Sequence, residues 1–287
     1  MIKYPIYDIQ RFNCSAVNSD LYINTFENHL INHSFVEEPH RHNSYVLVFF
    51  TKGSGIHEID FDVFSIQPGS MFFLQPGQMH HWDLSDDVEG FVILYSGEMY
   101  NLYFGQKTIS DYPFYSSVDN KPEMVFDASE SEAILPYFKS LISETLTNKM
   151  LKSDKIMNML DSIHIEIARK YSARYLHKAH SYNVKIKTFE ALLEQNFKTE
   201  KRASFYASAL AITLKHLNRI CNEILQKTST EVITERIILE AKRMLMDRKF
   251  SVNEIATALG YDDYSYFTRL FKKYTGMTPS AFRVLKK

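Results

Sequence analysis

Two kinds of hydrophobic pattern divide the chain. Between about residues 21 and 95, short apolar runs such as YVLVFF and GFVILY alternate with turn-forming stretches such as TKGSG, QPGS and QPGQ. Many short strands separated by frequent turns are typical of an all-β barrel or sandwich. From about residue 130 onward, apolar residues instead recur every three or four positions, which predicts helices. The pattern therefore predicts a β-barrel at about residues 20–100 that is followed by helices.

Two amphipathic helices are predicted within about residues 130–178. The first has an apolar face from Ile134 to Leu146, and the second from Ile156 to Ile167. One side of each helix can pack on the β-barrel. The stripe from Ile156 to Ile167 can either contact a second copy of the chain or pack within the same chain.

A polar stretch, KAHSYN at residues 178–183, follows the second helix, and the linker is predicted at residues 179–184. The linker divides the chain into a first domain of residues 1–178 and a second domain of residues 185–287. The second domain is predicted to be entirely helical, so the fold class is an α+β multidomain protein.

The segment from Ser251 to Arg283 predicts two short helices joined by a tight turn. Ser251 and Glu254 have the spacing of a capping box, in which each side chain binds the backbone N–H of the other residue. An apolar face follows, and Gly260 supplies the left-handed residue that ends a helix. The next helix has aromatic residues on one face and polar or basic residues on the other. This arrangement indicates a helix-turn-helix at about residues 251–275, with an ordinary helical hairpin as the alternative.

The same unit occurs a second time at about residues 203–226. Residues 217–220, LNRI, match residues 267–270, FTRL, and the two segments lie 50 positions apart. Between the two units, the apolar spacing from Thr230 to Leu245 predicts a single connecting helix. A repeat of this kind favours two helix-turn-helix units over a chance hairpin.

Charge is distributed unequally between the two predicted domains. Residues 184–287 contain 19 Lys and Arg and 11 Asp and Glu, a net charge of +8, whereas residues 1–183 have a net charge of −9. A basic domain suits a partner made of phosphates, and an acidic domain would be repelled by DNA. The N-terminal domain is therefore expected to have a different role.

Composition excludes several classes of protein. Hydrophobic residues make up 45% of the chain, which excludes global disorder. The two cysteines, Cys14 and Cys221, do not suggest a disulfide framework, which fits a reducing cytosol. No signal-peptide pattern opens the sequence, and no apolar run is long enough to span a bilayer. These features predict a cytoplasmic protein with no membrane partner.

The C-terminal motifs resemble those of the AraC/XylS family of bacterial transcription regulators. The strongest match is A-x-x-L-G-Y at residues 256–261, followed by SYFTRLFKKYTGMTPSAFR, which ends at Arg283. In the first copy, Cys221 stands where the family usually has Phe, and Gln226 stands where it often has Gly. The similarity covers a little over a third of the chain. It implies a sequence-specific regulator that binds double-stranded DNA at a promoter or operator.

The resemblance also implies, position by position, which residues contact DNA. The implied base contacts are Lys215, Asn218 and Arg219 in the first recognition helix, and Ser265, Thr268 and Arg269 in the second. Arginine can bind guanine through two hydrogen bonds, and asparagine can bind adenine in the same way. Lys272 and the helix N-termini are expected to contact phosphates. His216 and Tyr264 lie at the margin of the exposed face.

Two N-terminal phrases resemble the cupin motifs. They are EPHRHNSYVLVFFTKGSGIHEID and IQPGSMFFLQPGQMHHW. In metal cupins, three histidines and a glutamate bind iron, zinc or manganese. Here His40, His42 and His80 match the histidines, but Tyr45 stands at or beside the glutamate position. Without that carboxylate neither a metal nor another cofactor is expected, and the resemblance implies a metal-free, cupin-like barrel that holds an effector.

Trp82, the only tryptophan, shares a strand face with His80 because side chains alternate along a strand. If this face points inward, an aromatic wall lies beside an imidazole, which suits a small polar ligand with an apolar face, such as a sugar. The alternative for each residue is a packing role, and His57 is expected at the surface. The predicted effector-binding residues are His40, His42, Tyr45, His80 and Trp82.

Together these features predict a transcription regulator with an effector-binding and dimerisation domain and a DNA-binding domain. A homodimer is expected, and RNA polymerase is a further candidate partner. Two alternatives stay open, namely a metal-dependent cupin enzyme fused to a DNA-binding domain and an architectural DNA-binding protein. Metal content would distinguish the first, and a ligand-dependent change in DNA affinity would exclude the second.

Overall fold

The computed structural model describes residues 5–12, 20–32, 39–115, 121–175, 184–247 and 249–285. These residues form two compact units, one ending at Tyr175 and one beginning at Val184. All of the predicted linker except Val184 lies outside the described residues, so the domain boundary remains a prediction.

The described part of the N-terminal unit contains two five-stranded sheets. Their strands are β1 (Ile6–Tyr7), β2 (Leu21–Thr25), β3 (His40–His42), β4 (Tyr45–Lys52), β5 (Gly55–Ile59), β6 (Asp62–Ile66), β7 (Ser70–Leu74), β8 (Met79–Leu84), β9 (Glu89–Tyr95) and β10 (Glu123–Val125). One sheet has the order β1-β3-β8-β5-β6, and the other has the order β10-β7-β4-β9-β2. All pairs are antiparallel except β1 with β3. The prediction of an N-terminal β domain is confirmed.

Turn chemistry fixes where these strands reverse. Gly69, in the QPGS turn between β6 and β7, has a φ of +94°, which L side chains rarely adopt. A Cβ at this position would lie 2.1 Å from the carbonyl oxygen of Phe126. Glycine is therefore required here for two reasons, its backbone conformation and the close approach of Phe126, the residue after β10.

Strand β4 separates two hydrophobic cores. Val46, Val48 and Phe50 belong to a core made by side chains of both sheets, which we call the inter-sheet core. Leu47 and Phe49 belong to a second core, which we call the sheet–helix core because helices cover it. The alternation of side chains along the strand produces this division.

Four α-helices lie in the described part of the N-terminal unit. They are α1 (Phe26–Asn32), α2 (Gly97–Phe104), α3 (Ala128–Thr145) and α4 (Lys152–Tyr175). The two predicted amphipathic helices correspond to α3 and α4. Helix α3 begins with a capping box in which Asp127 and Glu130 bind each other's backbone N–H.

The apolar stripe of α4 packs within the chain. Ile156, Leu160, Ile163 and Ile167 are fully buried in the sheet–helix core. Of the two roles considered for this stripe, the geometry therefore supports internal packing, and these side chains are not exposed for a dimer contact. A homodimer remains a prediction, and it would have to use other residues.

The C-terminal unit is helical, as predicted. Its helices are α5 (Val184–Asn196), α6 (Ala203–Ala209), α7 (Leu214–Leu225), α8 (Ser229–Met246), α9 (Val252–Ala258), α10 (Tyr264–Thr275) and α11 (Pro279–Leu285). Helices α6 and α7 form one helix-turn-helix, α9 and α10 form the other, and α8 connects them. Ser251 and Glu254 form the predicted capping box at the start of α9.

The two departures from the family pattern are accommodated locally. Cys221 is fully buried in α7. Gln226 ends α7 in the left-handed conformation, with a φ of +57°, where Gly276 ends α10 with a φ of +78°. A non-glycine residue in this conformation costs roughly 1–2 kcal/mol, which the first unit tolerates.

Candidate DNA-binding surface and effector site

The two recognition helices, α7 and α10, each have one apolar face and one polar face. Leu217, Ile220 and Cys221 are buried in α7, and Phe267 and Phe271 are buried in α10. Residues four positions apart lie on the same side of a helix, so the exposed residues of each helix form a row. The predicted DNA contacts in these rows are Lys215 and Arg219 on α7, and Tyr264, Ser265, Arg269 and Lys272 on α10.

The two arginines of these rows differ in how they are held. Arg219 Nη1 donates to Glu223 Oε1 at 3.2 Å, and its Nη2 lies 3.2 Å from Nε2 of half-buried His216. This exposed ion pair is weak enough to be exchanged for a stronger partner. Within the described residues no acidic side chain pairs with Arg269. Both guanidinium groups therefore lie on exposed faces of their helices.

Asn218 does not join the exposed row of α7. Its Oδ1 accepts hydrogen bonds from the backbone N–H of Ser229 at 3.0 Å and from the Ser229 hydroxyl at 2.7 Å. The carboxamide therefore fastens α7 to the first residue of α8. This geometry supports a structural role for Asn218 and does not support the expected contact with adenine.

Thr268 occupies the matching position in the second unit and is also turned away from solvent. Its hydroxyl oxygen is buried and has no hydrogen-bond partner in the described part of the chain. Pro279 stands 50 residues after Ser229 and has no backbone N–H to donate. The structure therefore separates Thr268, like Asn218, from the side chains that can meet DNA.

The N-terminus of α10 is also unsuited to a phosphate. The Asp263 carboxylate accepts hydrogen bonds from the backbone N–H groups of Ser265, at 2.7 Å, and Tyr266, at 3.0 Å. At α10 this contact argues against the expected phosphate contact of a helix N-terminus, because the carboxylate already accepts from two of its N–H groups. Lys272 and Lys273, in the last turn of α10, are the basic groups at the opposite end.

Sequence reasoning missed Tyr266, which is more exposed than Tyr264. Their exposed fractions are 50% and 40%. The Tyr266 ring lies 5.9 Å from the Tyr261 ring, between centroids. The sequence could have indicated this residue, because Tyr266 follows Ser265 on the first turn of the recognition helix.

Four histidines meet inside the inter-sheet core. His40 and His42 come from β3, His57 from β5 and His80 from β8, and all four are buried. Antiparallel pairing sets His40 opposite His80 and His57 opposite Trp82. The Nε2 atoms of His40 and His42 are 3.0 Å apart, and His57 Nε2 lies 3.1 Å from His80 Nδ1.

The position of His57 corrects the expectation of a surface residue. Along β5, His57 and Ile59 face inward, whereas Ile56 and Glu58 are more exposed. The pattern around His57 contains polar residues on both faces, so it did not show which face was buried. Pairing of β5 with β8 determines it, because it sets His57 beside Trp82.

Burial favours the neutral form of three of these imidazoles. It lowers the pKa of His42, His57 and His80 well below the usual value, and neighbouring histidines lower each pKa further. Neutral imidazoles can donate or accept hydrogen bonds, and they can ligate a metal. In the described residues, His57 Nδ1, His80 Nε2 and Trp82 Nε1 are buried without a hydrogen-bond partner.

Trp82 lies beside the histidines, as the alternation of side chains predicts. It is 3% exposed, and its ring centroid is 4.7 Å from that of His80 and 5.1 Å from that of His57. Phe26 packs edge-on against the indole, with ring centroids 5.2 Å apart. The result is an aromatic wall next to imidazoles.

Tyr45 lies on the other side of β4. Its ring stacks on Tyr95 with centroids 5.8 Å apart, and it contacts Tyr115 in the sheet–helix core. Because Tyr45 is one residue before Val46, which faces the inter-sheet core, its side chain points away from the histidines. The structure therefore does not bring Tyr45 to the predicted effector site.

A second polar group, in the sheet–helix core, was not predicted. Asp161 of α4 accepts hydrogen bonds from Lys107, at 2.6 Å, and from Tyr100 and Tyr112. Burial opposes ionisation of Asp161, but these hydrogen bonds outweigh it and lower its pKa. The contacts fasten α4 to the segment that follows β9, which gives this group a structural role.

His164 belongs to the same part of the sheet–helix core. Its Nε2 lies 2.6 Å from the Tyr95 hydroxyl, and burial lowers its pKa to about 4.

Among the helices described, none has both the length and the apolar character needed to cross a membrane.

Comparison with known proteins assigns both units. Residues 20–174 match the AraC-like ligand binding domain, and residues 206–284 match a helix-turn-helix domain. The transcriptional activator RhaR of Mannheimia succiniciproducens is 22% identical over 246 residues, covering 85% of this chain and 86% of that protein. The arabinose operon regulatory protein of Escherichia coli K12 is 23% identical over 266 residues, covering 87% of this chain and 83% of that protein.

Among solved structures, ToxT of Vibrio cholerae is similar over 92% of this chain and 98% of its own, with 12% identity and a TM-score of 0.45. The matched domains are those of transcription regulators, and the alternative of a metal-dependent enzyme has no support among these relatives.

Proposed function

Because this chain belongs to the AraC family of transcription regulators, we propose that a small polar effector bound beside His80 and Trp82 controls its binding to one DNA sequence. The observation that carries the proposal is that three polar atoms of this core, His57 Nδ1, His80 Nε2 and Trp82 Nε1, have no hydrogen-bond partner in the described residues. Each such atom costs roughly 1–3 kcal/mol when it is left unpaired. A ligand with oxygen donors and acceptors would recover part of that cost.

A sugar suits these groups. Sugar hydroxyls pair with imidazole and indole nitrogens, and the apolar face of the ring packs on aromatic side chains. One relative is named as the regulator of the arabinose operon. The aromatic wall formed by Trp82 and Phe26 offers the matching surface here.

The two recognition helices would enter successive major grooves. Arg219 and Arg269 would contact base edges, and Lys215 and Ser265 would assist from the same exposed rows. Lys272 and Lys273 would contact phosphates, which fits the net charge of +8 in this part of the chain.

Effector binding can change DNA binding only by favouring one arrangement of the protein over another. We propose that the protein acts in the cytoplasm as a homodimer that activates transcription. RNA polymerase is the further partner that this role requires. The relatives named as activators support this part of the proposal.

A thermal-shift screen of the full chain against sugars and other small metabolites tests the effector site. A ligand that binds the native state raises its stability. A duplex selected from a random library then serves to measure DNA affinity with and without the ligand. A screen without any stabilising ligand, or a ligand that leaves DNA affinity unchanged, would argue against the proposal.

Two phenylalanine variants locate the ligand. Trp82→Phe keeps an aromatic ring but removes the N–H, so it should weaken effector binding about tenfold while DNA binding without effector stays unchanged. Tyr45→Phe is the matched control, because it removes a hydroxyl on the opposite side of β4. Equal effects of the two substitutions would place the ligand elsewhere.

A further inference from the structure

We propose that His40, His42 and His80 bind a divalent transition-metal ion of the zinc type inside the inter-sheet core. Each of these histidines offers one ring nitrogen, and the three nitrogens lie within 4.8 Å of one another. All three side chains are buried. The proposed metal site lies within the effector site proposed above and rests on that proposal. Metal binding can nevertheless be tested without effector or DNA.

The distances fit a metal centre after small movements of the rings. Zinc–nitrogen bonds of 2.0–2.1 Å in tetrahedral geometry place two ligand nitrogens roughly 3.3 Å apart. The Nε2 atoms of His40 and His42 already lie 3.0 Å apart. A ring rotation that moves the His80 nitrogen by on the order of 1 Å would bring it to the same ion.

His80 has the hydrogen bonding of a metal ligand. Its Nδ1 lies 3.1 Å from His57 Nε2, whereas its Nε2 is buried and has no partner among the residues described. When Nδ1 carries the proton and donates it to His57, the lone pair of Nε2 is free for a metal. Metal-binding histidines commonly have their second nitrogen held in this way. His57 is therefore a positioning residue.

The chemistry of the three side chains selects the class of ion. Imidazole suits zinc, copper, nickel, cobalt and iron, whereas magnesium and calcium prefer oxygen ligands. Binding requires neutral imidazoles, each of which offers one ring nitrogen to the ion. The group of three found in the described residues contains no carboxylate, and Asp60, the buried acid of the neighbouring turn, hydrogen-bonds to Gln78 and Met79.

Three protein ligands would leave a fourth position on the ion for an oxygen atom. Zinc sites that bind small molecules have this composition, whereas purely structural zinc sites have four protein ligands. An effector with a hydroxyl or carboxylate oxygen could therefore bind the ion directly, while its apolar part packs on Trp82. The metal would be a resident group of the regulator.

Isothermal titration of the EDTA-treated full chain with zinc chloride tests the proposal. We expect one zinc ion per chain, and His42→Gln and His80→Gln should each weaken zinc binding at least 100-fold. His81→Gln is the matched control, because His81 is the next residue on β8 but is partly exposed and lies 3.7 Å from Glu58. It should change zinc affinity by less than twofold, and His57→Ala should weaken binding about 10–100-fold through loss of ring positioning.

Cobalt provides a readout that a packing role would not produce. The wild-type chain should bind cobalt with the visible absorption of tetrahedral coordination. His80→Cys should keep metal binding and add a thiolate-to-cobalt band, whereas His80→Gln should lose both signals. Thermal unfolding of each variant in EDTA shows whether the metal-free fold is intact.

Absence of stoichiometric zinc binding by the wild-type chain would overturn the metal site. So would equal zinc affinities of folded His80→Gln and His81→Gln. Either result would leave effector and DNA binding to their own tests, because metal binding is measured without them. Conversely, a chain that binds zinc but responds to no effector would retain the metal site and lose the proposed regulation.

Discussion

The two helix-turn-helix units have the same arrangement of helices but are fastened by different contacts. In the first unit, Asn218 accepts two hydrogen bonds from Ser229 at the start of α8. At the matching positions of the second unit, Thr268 has no hydrogen-bond partner in the described chain and Pro279 has no N–H. A polar contact in one unit is therefore absent from the other.

The packing of the two units also differs. Cys221 fills the core position of the first unit that Phe271 fills in the second. The Phe271 ring packs on Phe267 and Phe282, with centroids 6.2 Å and 5.6 Å away. Matching positions in a repeat thus share a place in the fold without sharing a role. A polar residue on a recognition helix can serve the protein rather than the DNA.

Phe271→Ala should produce the largest contrast. It removes a fully buried ring and should lower the free energy of unfolding of the second unit by about 3–5 kcal/mol. Cys221→Ala at the matching position should cost only about 1 kcal/mol, because it removes a single buried atom. Hydrogen exchange of the full chain resolves the protection of each unit, and equal costs would contradict the comparison.

Arg219→Ala and Arg269→Ala should each weaken binding to the selected duplex by about 1–3 kcal/mol and relax the preference at one base pair. Both arginines lie in the exposed rows, so this contrast tests whether the two units act alike on DNA. Lys272→Ala is the control. It should weaken binding to all DNA sequences similarly and reduce the salt dependence of binding. Fluorescence anisotropy with the selected and a scrambled duplex at several salt concentrations measures these effects. An unchanged preference in Arg269→Ala would show that α10 does not contact bases as proposed.

Asn218→Ala should lower the stability of the first unit by about 1–2 kcal/mol, because it leaves the buried Ser229 groups without an acceptor. Its preference among DNA sequences should not change. Thr268→Val should be neutral or slightly stabilising, because valine has a similar shape and lacks the unpaired hydroxyl. Hydrogen exchange and the same anisotropy assay check both variants. A changed base preference without loss of stability in Asn218→Ala would restore its role as a DNA contact.

Exchange of the helix-ending residues should have the smallest effect. Gln226→Gly should stabilise the first unit by about 1 kcal/mol, because glycine adopts a positive φ without a steric cost. Gly276→Ala should destabilise the second unit by a similar amount. The unfolding temperatures of the two variants should therefore move in opposite directions. A loss of stability in both would mean that the hydrogen bond from Gln226 Nε2 to the Glu223 carbonyl oxygen, at 3.4 Å, outweighs the cost of the left-handed backbone.

Local chemistry made much of the fold predictable. The capping box of Ser251 and Glu254 and the left-handed Gly260 mark the ends of α9, because both depend on residues close in the chain. The motifs also place His40 and His80 in one group. Each of these features needs only a few neighbouring residues to specify it.

Contacts between elements were not predictable in the same way. The run YVLVFF is apolar throughout, so it gives no indication of which side of β4 Tyr45 occupies. The face of His57 is set by the pairing of β5 with β8. The contact of Asn218 with Ser229 depends on the angle between α7 and α8, and the contact of Lys107 with Asp161 joins residues 54 positions apart. Such contacts follow from tertiary packing rather than from sequence spacing.

Strand β4 has no solvent-facing side over its buried length, and this has a mechanical consequence. One backbone holds Val48 and Phe50 in the inter-sheet core and Leu47 and Phe49 in the core beneath α3. Phe49 lies 5.2 Å from Phe138 of α3, between ring centroids. Close-packed interiors resist compression, so any displacement of β4 that a ligand causes must also move the ring on its opposite side. Adjacent residues of β4 belong to the two cores. A displacement in one core is therefore transmitted to the other without a hinge or a moving loop.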